Sequence, residues 1–313
     1  MKKMYHQPVL ADESIRYLIT NSEGIYVDCT LGGGGHSLLV LQNLSSNGFL
    51  IGLDADSDAI AHASEVLKEF KNKLLRQIFY DQLDVVLYET GKYPVDGFFY
   101  DLGLSSFHID EMSRGFSYQV DAPLDMRFDR KQKLTAAKVV NEYPVEALQQ
   151  IIRDYGEELY WRKIAKRIVQ TRINMELKTT MDLVGIVKSV VGEKNLQKSL
   201  ARVFQAIRIE VNKELDRLKK SLELAFKYGK KGARILVISY HSLEDRIVKE
   251  FFRYKALSCI CPDDLPECVC DKVSEIKIIS RKIIKPDQKE IQLNPRARSA
   301  RLRVAEKIVP FTT

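Results

Sequence analysis

The feature that most constrains this chain is an alternation of short apolar runs with helical stretches that stops near residue 118 and resumes after residue 219. Residues 25–30, 49–54 and 95–102 are apolar runs too short for helices and rich in β-branched and aromatic side chains. Strands buried in a parallel sheet read this way, with residues 37–44 and 57–70 as the intervening helices. A short apolar run also stands at Ile78-Phe79-Tyr80. From residue 119 the spacing becomes helical only, with amphipathic stretches at 145–155, 157–173, 180–191 and 206–228. Residues 233–239 then return as a buried strand, a helix starts at Ser242, and 275–284 reads as one more strand. The simplest architecture is a discontinuous α/β domain, residues 1–118 with 220–313, interrupted by an all-helical insertion at 119–219.

The first strand runs into Gly32-Gly33-Gly34-Gly35-His36-Ser37, where a helix begins. Glycines at a strand-to-helix turn let the backbone bend tightly and come close to a ligand, and open α/β sheets bind ligands at the carboxyl ends of their strands. A merely permissive turn is the alternative. A dinucleotide fingerprint needs a third glycine, but that slot holds Ser37 counted from Gly32 and Leu38 counted from Gly33. Asp54 ends the second strand and is placed to accept hydrogen bonds from ribose hydroxyls. No Lys or Arg lies between Gly32 and Asp54 to answer a phosphate. The site therefore tilts from NAD toward S-adenosylmethionine, which has a ribose and no phosphate. Asp101 closes the strand at 95–101 and projects at the same sheet edge, where a carboxylate can orient an amine. The competing reading is a helix cap or a turn.

Charge separates along the chain. Lys and Arg against Asp and Glu number 9 to 16 over residues 1–118, 20 to 14 over 119–219, and 20 to 12 over 220–313. A basic surface set apart from an acidic one suits a polyanionic partner. Arg162, Lys163, Lys166 and Arg167 share one amphipathic segment, which serves equally as a solvated helix face. In the tail, Arg281, Lys282, Lys285, Lys289, Arg296, Arg298, Arg301 and Arg303 meet only Asp287 and Glu290 as opposing charges, so this segment is the stronger expectation for phosphate contact.

Nine blocks carry a family resemblance: His6-Gln7-Pro8-Val9-Leu10, residues 28–37, residues 101–106, Arg114-Gly115-Phe116-Ser117-Tyr118, Pro123-Leu124-Asp125-Met126-Arg127, Tyr155-Gly156-Glu157-Glu158, residues 204–212, residues 238–246 and residues 294–300. Running in order over nearly the whole chain, they resemble the bacterial RsmH (MraW) family. The resemblance implies a Rossmann-like class I S-adenosylmethionine-dependent methyltransferase domain with a helical, RNA-recognising insertion. It also implies methylation of N4 of a cytidine in the decoding region of small-subunit (16S) ribosomal RNA. It places cofactor contacts at Gly34, Gly35, His36, Asp54 (ribose), Phe79 (adenine) and Asp101 (methionine end). His108 stands where the family usually has Gln and is expected as a further cofactor contact, its imidazole replacing the amide as donor or acceptor, and Tyr240 stands where the family commonly has Phe, a mild change. Asp101 is the expected catalytic residue, holding the N4 amine in line with the methyl. The Pro-Pro-aromatic form common after such an acid is missing, so Phe107 and Phe116 are the candidates to stack on the base. RNA contact is expected at Arg296, Arg298, Arg301 and Arg303. A nicotinamide-dependent oxidoreductase and a non-catalytic RNA-binding protein with a relic loop are the alternatives.

Four of the five cysteines bunch as Cys259-Ile260-Cys261 and Cys268-Val269-Cys270, with Pro262 and Pro266 between them. Four thiolates suit tetrahedral zinc, which would be structural. Cys29, in an apolar run, reads as a small buried thiol. Ser242 with Asp245 reads as a capping box, and His241 as a structural histidine. No stretch approaches the roughly 18 apolar residues of a spanning helix and no apolar leader opens the chain, so a cytoplasmic protein without a membrane partner is expected. The oligomeric state stays open, a homodimer included.

Overall fold

The computed structural model describes residues 8–104, 112–262 and 267–312. Helix α1 (Ala11–Leu18) leads into β1 (Ile25–Asp28), α2 (Gly35–Asn43), β2 (Phe49–Asp54), α3 (Ser57–Val66), β3 (Lys73–Gln77), α4 (Leu83–Thr90) and β4 (Val95–Asp101). The helical segment follows as α5 (Ala136–Glu142), α6 (Val145–Asp154), α7 (Trp161–Arg172), α8 (Thr180–Asn212) and α9 (Glu214–Tyr228). The sheet resumes with β5 (Gly229–Ser239), α10 (Ser242–Ala256), β6 (Ile276–Ile278), α11 (Gln288–Leu293) and β7 (Arg301–Lys307).

The chain forms two compact units, Met1–Gly103 with Leu215–Thr313, and Leu104–Glu214. The junctions fall at 103/104 and 214/215, against 118/119 and 219/220 drawn from the sequence. In the first unit seven strands lie in the order β3-β2-β1-β4-β5-β7-β6. Strands β1 to β5 pair in parallel, and β7 runs antiparallel between β5 and β6. This is the doubly wound Rossmann order with one reversed strand inserted near its edge. The order reverses between β1 and β4, which makes their carboxyl ends the switch point where such sheets take ligands. Strand β2 is apolar between its ends and β4 is buried up to its last residue, its one internal charge, Asp96, pairing with Lys230 and accepting the Ile25 amide, and at the carboxyl ends burial gives way at Asp54 and Asp101.

The second unit has its own core around Leu148, Ile152, Ile164, Ile168, Leu183, Val203 and Ile207. Thr135 caps α5 by accepting the Lys138 amide, and Thr179 with Asp182 forms a capping box at α8. Asn212 pins the preceding loop, accepting from the Phe128 amide at 2.8 Å and donating to the Met126 carbonyl at 2.7 Å.

Several sequence expectations change. The single helix expected at 206–228 breaks at Lys213, whose φ of 52° is left-handed, and α8 extends back to Thr180 through a kink at Gly192. Strand β3 lies ahead of Ile78, since its Lys, Arg and Gln side chains hide the apolar signal at a sheet edge. The strand expected at 275–284 is short, and only an isolated bridge joins Ile284 to Leu302. Strand β7 stands where the sequence shows a basic tail, because arginines alternate with its buried Leu302 and Val304. Among the described residues no helix is long and apolar enough to cross a membrane.

Candidate active site

Three carboxylates end three neighbouring strands of the sheet: Asp28 on β1, Asp54 on β2 and Asp101 on β4. The glycine turn follows β1. Gly34 adopts φ +81°, and a Cβ there would press on Ala63 at 3.2 Å, so the turn needs glycine both for its backbone and for its approach to α3. Asp54 is tied to the same turn. Its carboxylate accepts the Gly32 amide at 2.8 Å and the Asp56 amide at 2.9 Å, which fixes its orientation at the strand end.

Asp28 is buried, accepting the Ser37 hydroxyl at 2.7 Å and the Thr30 amide at 3.1 Å. Burial pushes its carboxyl up to about 6 despite these bonds. Asp101 is anchored through its backbone, whose N–H donates to the Thr30 hydroxyl at 2.6 Å. Its side chain accepts the Tyr240 hydroxyl at 2.8 Å and keeps 25% of its surface exposed. Desolvation raises the Asp101 carboxyl to about 7, with Tyr240 opposing the rise and Glu244 adding to it.

His36 packs against Phe99 in a tilted contact with ring centroids 4.6 Å apart and places Nε2 at 2.9 Å from the Val9 carbonyl. A carbonyl only accepts, so Nε2 carries the proton. Burial holds the imidazole below its usual range, which leaves a neutral ring with the Nδ1 lone pair 3.6 Å from Asp101. Phe79 sits just past β3, with the Arg217 guanidinium 3.6 Å from its ring centroid and Arg217 itself bonded to Asp81 at 2.6 Å.

The other expected residues disperse. Arg296 and Arg298 are exposed on the turn Pro295–Ser299. Arg301 and Arg303 belong to β7 and engage Asp245, Arg303 through two bonds of 2.7 and 3.1 Å. Burial opposes ionisation of Asp245, but the Arg303 and Arg301 contacts outweigh it and hold the carboxyl below the usual range. Asp245 thus belongs to an ion pair rather than to the cap. The α10 cap is His241, one residue earlier than expected, with Glu244 completing the box. Phe116 packs into the core of the helical unit, stacked on Phe128 at 5.7 Å. His108 and Phe107 lie outside the described residues. Arg162, Lys163, Lys166 and Arg167 form the exposed face of α7, and the last three line a surface depression with Gln170 and Ser189.

The sequence gives no sign of Thr30's role and shows Tyr240 only as a departure from the family's Phe. The parallel register that sets Asp101 opposite Ile238 puts residue 240 just beyond the Asp101 end, and that pairing is the signal that would have found it.

A switch-point crevice bordered by a glycine turn and strand-end carboxylates defines the class as a Rossmann-like, nucleotide-cofactor-binding protein. The model of the MraW methylase family matches residues 3–308. Ribosomal RNA small subunit methyltransferase H of Caldicellulosiruptor saccharolyticus is 50% identical over 304 residues, covering 97% of this chain and 99% of that protein. The protein of the same name from Clostridioides difficile is 46% identical over 310 residues, covering 98% and 100%. An rRNA methylase structure from Streptococcus thermophilus aligns at a TM-score of 0.43 and 11% identity over 96% of this chain and 94% of that one, a likeness that carries no argument. The chain belongs to the MraW methylase family.

Proposed function

We propose that this protein transfers the methyl group of S-adenosylmethionine to N4 of a cytidine in the decoding region of small-subunit ribosomal RNA. The observation that carries the reading is Asp101, held by Tyr240 and Thr30 at the same sheet edge as the glycine turn and Asp54. The names of the relatives support ribosomal RNA as the substrate.

The edge suits the cofactor electrostatically. Asp28, Asp54 and Asp101 bring negative charge with no lysine or arginine between Gly32 and Asp54, which favours a cation and repels a pyrophosphate. This sets the oxidoreductase alternative aside, and the retention of Gly34, Asp54 and Asp101 together sets aside a relic. When bound, S-adenosylmethionine supplies an electrophilic methyl on a positively charged sulfur. Gly34 and Gly35 would let the backbone approach it, Asp54 would accept from the ribose hydroxyls, and Phe79, fixed by Arg217, would take the adenine. His36 orders the crevice beside Asp101.

Cytosine N4 is a poor nucleophile because its lone pair is delocalised into the ring, so positioning is the main lever. Asp101 in its ionised form accepts an N4–H bond and aims the lone pair at the methyl. The surplus proton leaves to water after transfer. A single-stranded target lowers the cost of presenting the base. Arg296 and Arg298, with Lys163, Lys166 and Arg167, are the exposed cations for phosphate contact. The zinc expected at the four clustered cysteines takes no part in this chemistry, since a four-thiolate site leaves no open position.

Label transfer from S-adenosylmethionine to small ribosomal subunits lacking the modification tests the reading. Asp101→Ala is expected to bind cofactor by calorimetry and to transfer at least a hundredfold more slowly. Transfer to protein instead of RNA would overturn the substrate assignment.

A further inference from the structure

Between the end of α10 at Ala256 and the start of β6 at Ile276 the chain has no regular secondary structure among its described residues. Irregular stretches this long are uncommon unless something organises them. Apolar burial does not: no described residue from 257 to 275 is buried, and Ile260, Val269 and Val273 are 51%, 77% and 61% exposed. Yet four cysteine sulfurs converge within it. Cys259 lies 3.5 Å from Cys268 and 3.7 Å from Cys270, Cys268 lies 3.7 Å from Cys270, and Cys261 lies 4.0 Å from Cys268. All four sulfurs fall within 4.8 Å of one another, and none is in a disulfide.

Tetrahedral zinc with Zn–S bonds of about 2.3 Å requires sulfur–sulfur edges of about 3.8 Å, which these distances bracket. The surrounding amides fit as well. The middle residue of each Cys-x-Cys pair turns its N–H onto a sulfur of the other pair, Ile260 to Cys270 and Val269 to Cys261, both at 3.4 Å. Four thiolates around a divalent ion carry a net negative charge, and N–H donors aimed at sulfur offset it.

We propose that Cys259, Cys261, Cys268 and Cys270 hold one zinc ion in a closed four-thiolate site that organises residues 257–262 and 267–275. The site stands independently of the methyltransferase reading. Its effect is to replace the missing apolar core of this stretch with one metal centre joining two segments of the loop. Four protein ligands complete the coordination, so the ion is structural.

The test uses the full chain, purified without added metal or chelator. Elemental analysis is expected to find about one zinc per chain, falling below a tenth in Cys259→Ser with Cys268→Ser. Because those variants can fail to fold, cobalt(II) exchanged into the wild-type chain provides a second reading: tetrahedral thiolate ligation gives intense visible bands and a near-ultraviolet charge-transfer band. Stripping the metal is expected to raise hydrogen exchange across residues 257–262 and 267–275 and to leave S-adenosylmethionine affinity within twofold. Stoichiometric iron, four freely reacting thiols in a metal-free chain, or a mass showing disulfides would each overturn the assignment. Loss of cofactor binding on stripping would overturn the structural role.

Discussion

In the proposed reaction Asp101 is the residue on which the chemistry turns, and Tyr240, standing where the family commonly has Phe, is this chain's own means of tuning it. The hydroxyl donates to the carboxylate at 2.8 Å, and so favours the charged form that accepts from an amine. Burial pushes the other way, and the groups facing Asp101 are His36 from α2, Asp28 from β1, Glu244 from α10 and Tyr240 itself. With the carboxyl near 7, kcat/KM is expected to rise with pH through that value. Tyr240→Phe removes the bond that lowers the Asp101 pKa, so the rise should move about one unit to higher pH, the equivalent of a charge-assisted bond of about 1.5 kcal/mol, and the rate at pH 7 should fall about sevenfold. An unchanged pH profile would show that the hydroxyl does not tune the acid. Stability carries the opposite sign. A carboxyl raised from 3.8 to about 7 on folding costs stability, absent at low pH and fully present above 7. Asp101→Asn should therefore raise the thermal midpoint at pH 8, with the gain shrinking toward pH 4.

The elements show where local pattern was sufficient and where it was not. Strand β2 matches its sequence reading because a strand buried on both faces has nothing but apolar residues between its ends. Strand β7 was illegible because its two arginines point to Asp245 on α10, a partner more than fifty residues earlier in the chain. Arg303→Ala should cost about 1–3 kcal/mol by leaving Asp245 under-paired, measurable by denaturant unfolding. The cost should be full at neutral pH and fade as pH falls through the depressed Asp245 pKa. Substitutions at exposed Arg298 should spare stability and instead flatten the salt dependence of RNA binding. The glycine turn was legible as a turn, but its close contact with α3 was not. Gly34→Ala combines a left-handed φ, worth about 1–2 kcal/mol, with contact at 3.2 Å. It should weaken S-adenosylmethionine binding at least tenfold in a titration.

At the scale of the whole molecule, the interrupted alternation of strands and helices was enough to give a Rossmann-like sheet and a helical insertion. The break between α8 and α9 at Lys213, whose backbone is left-handed, leaves no mark in the apolar spacing of the sequence. Asp101, Asp54 and the glycine turn were legible because strand ends in a parallel sheet share one edge. Thr30 and Tyr240 were not, since their roles depend on hydrogen bonds with Asp101 from the ends of neighbouring strands. The central claim is that this edge directs a methyl group onto an exocyclic amine of RNA. Nucleoside mass spectrometry of small-subunit RNA after reaction with isotopically labelled S-adenosylmethionine tests it most directly. The account predicts label in N4-methylcytidine with the wild-type chain and none with Asp101→Ala. Label on a ring carbon, on a ribose hydroxyl or on another base would contradict it.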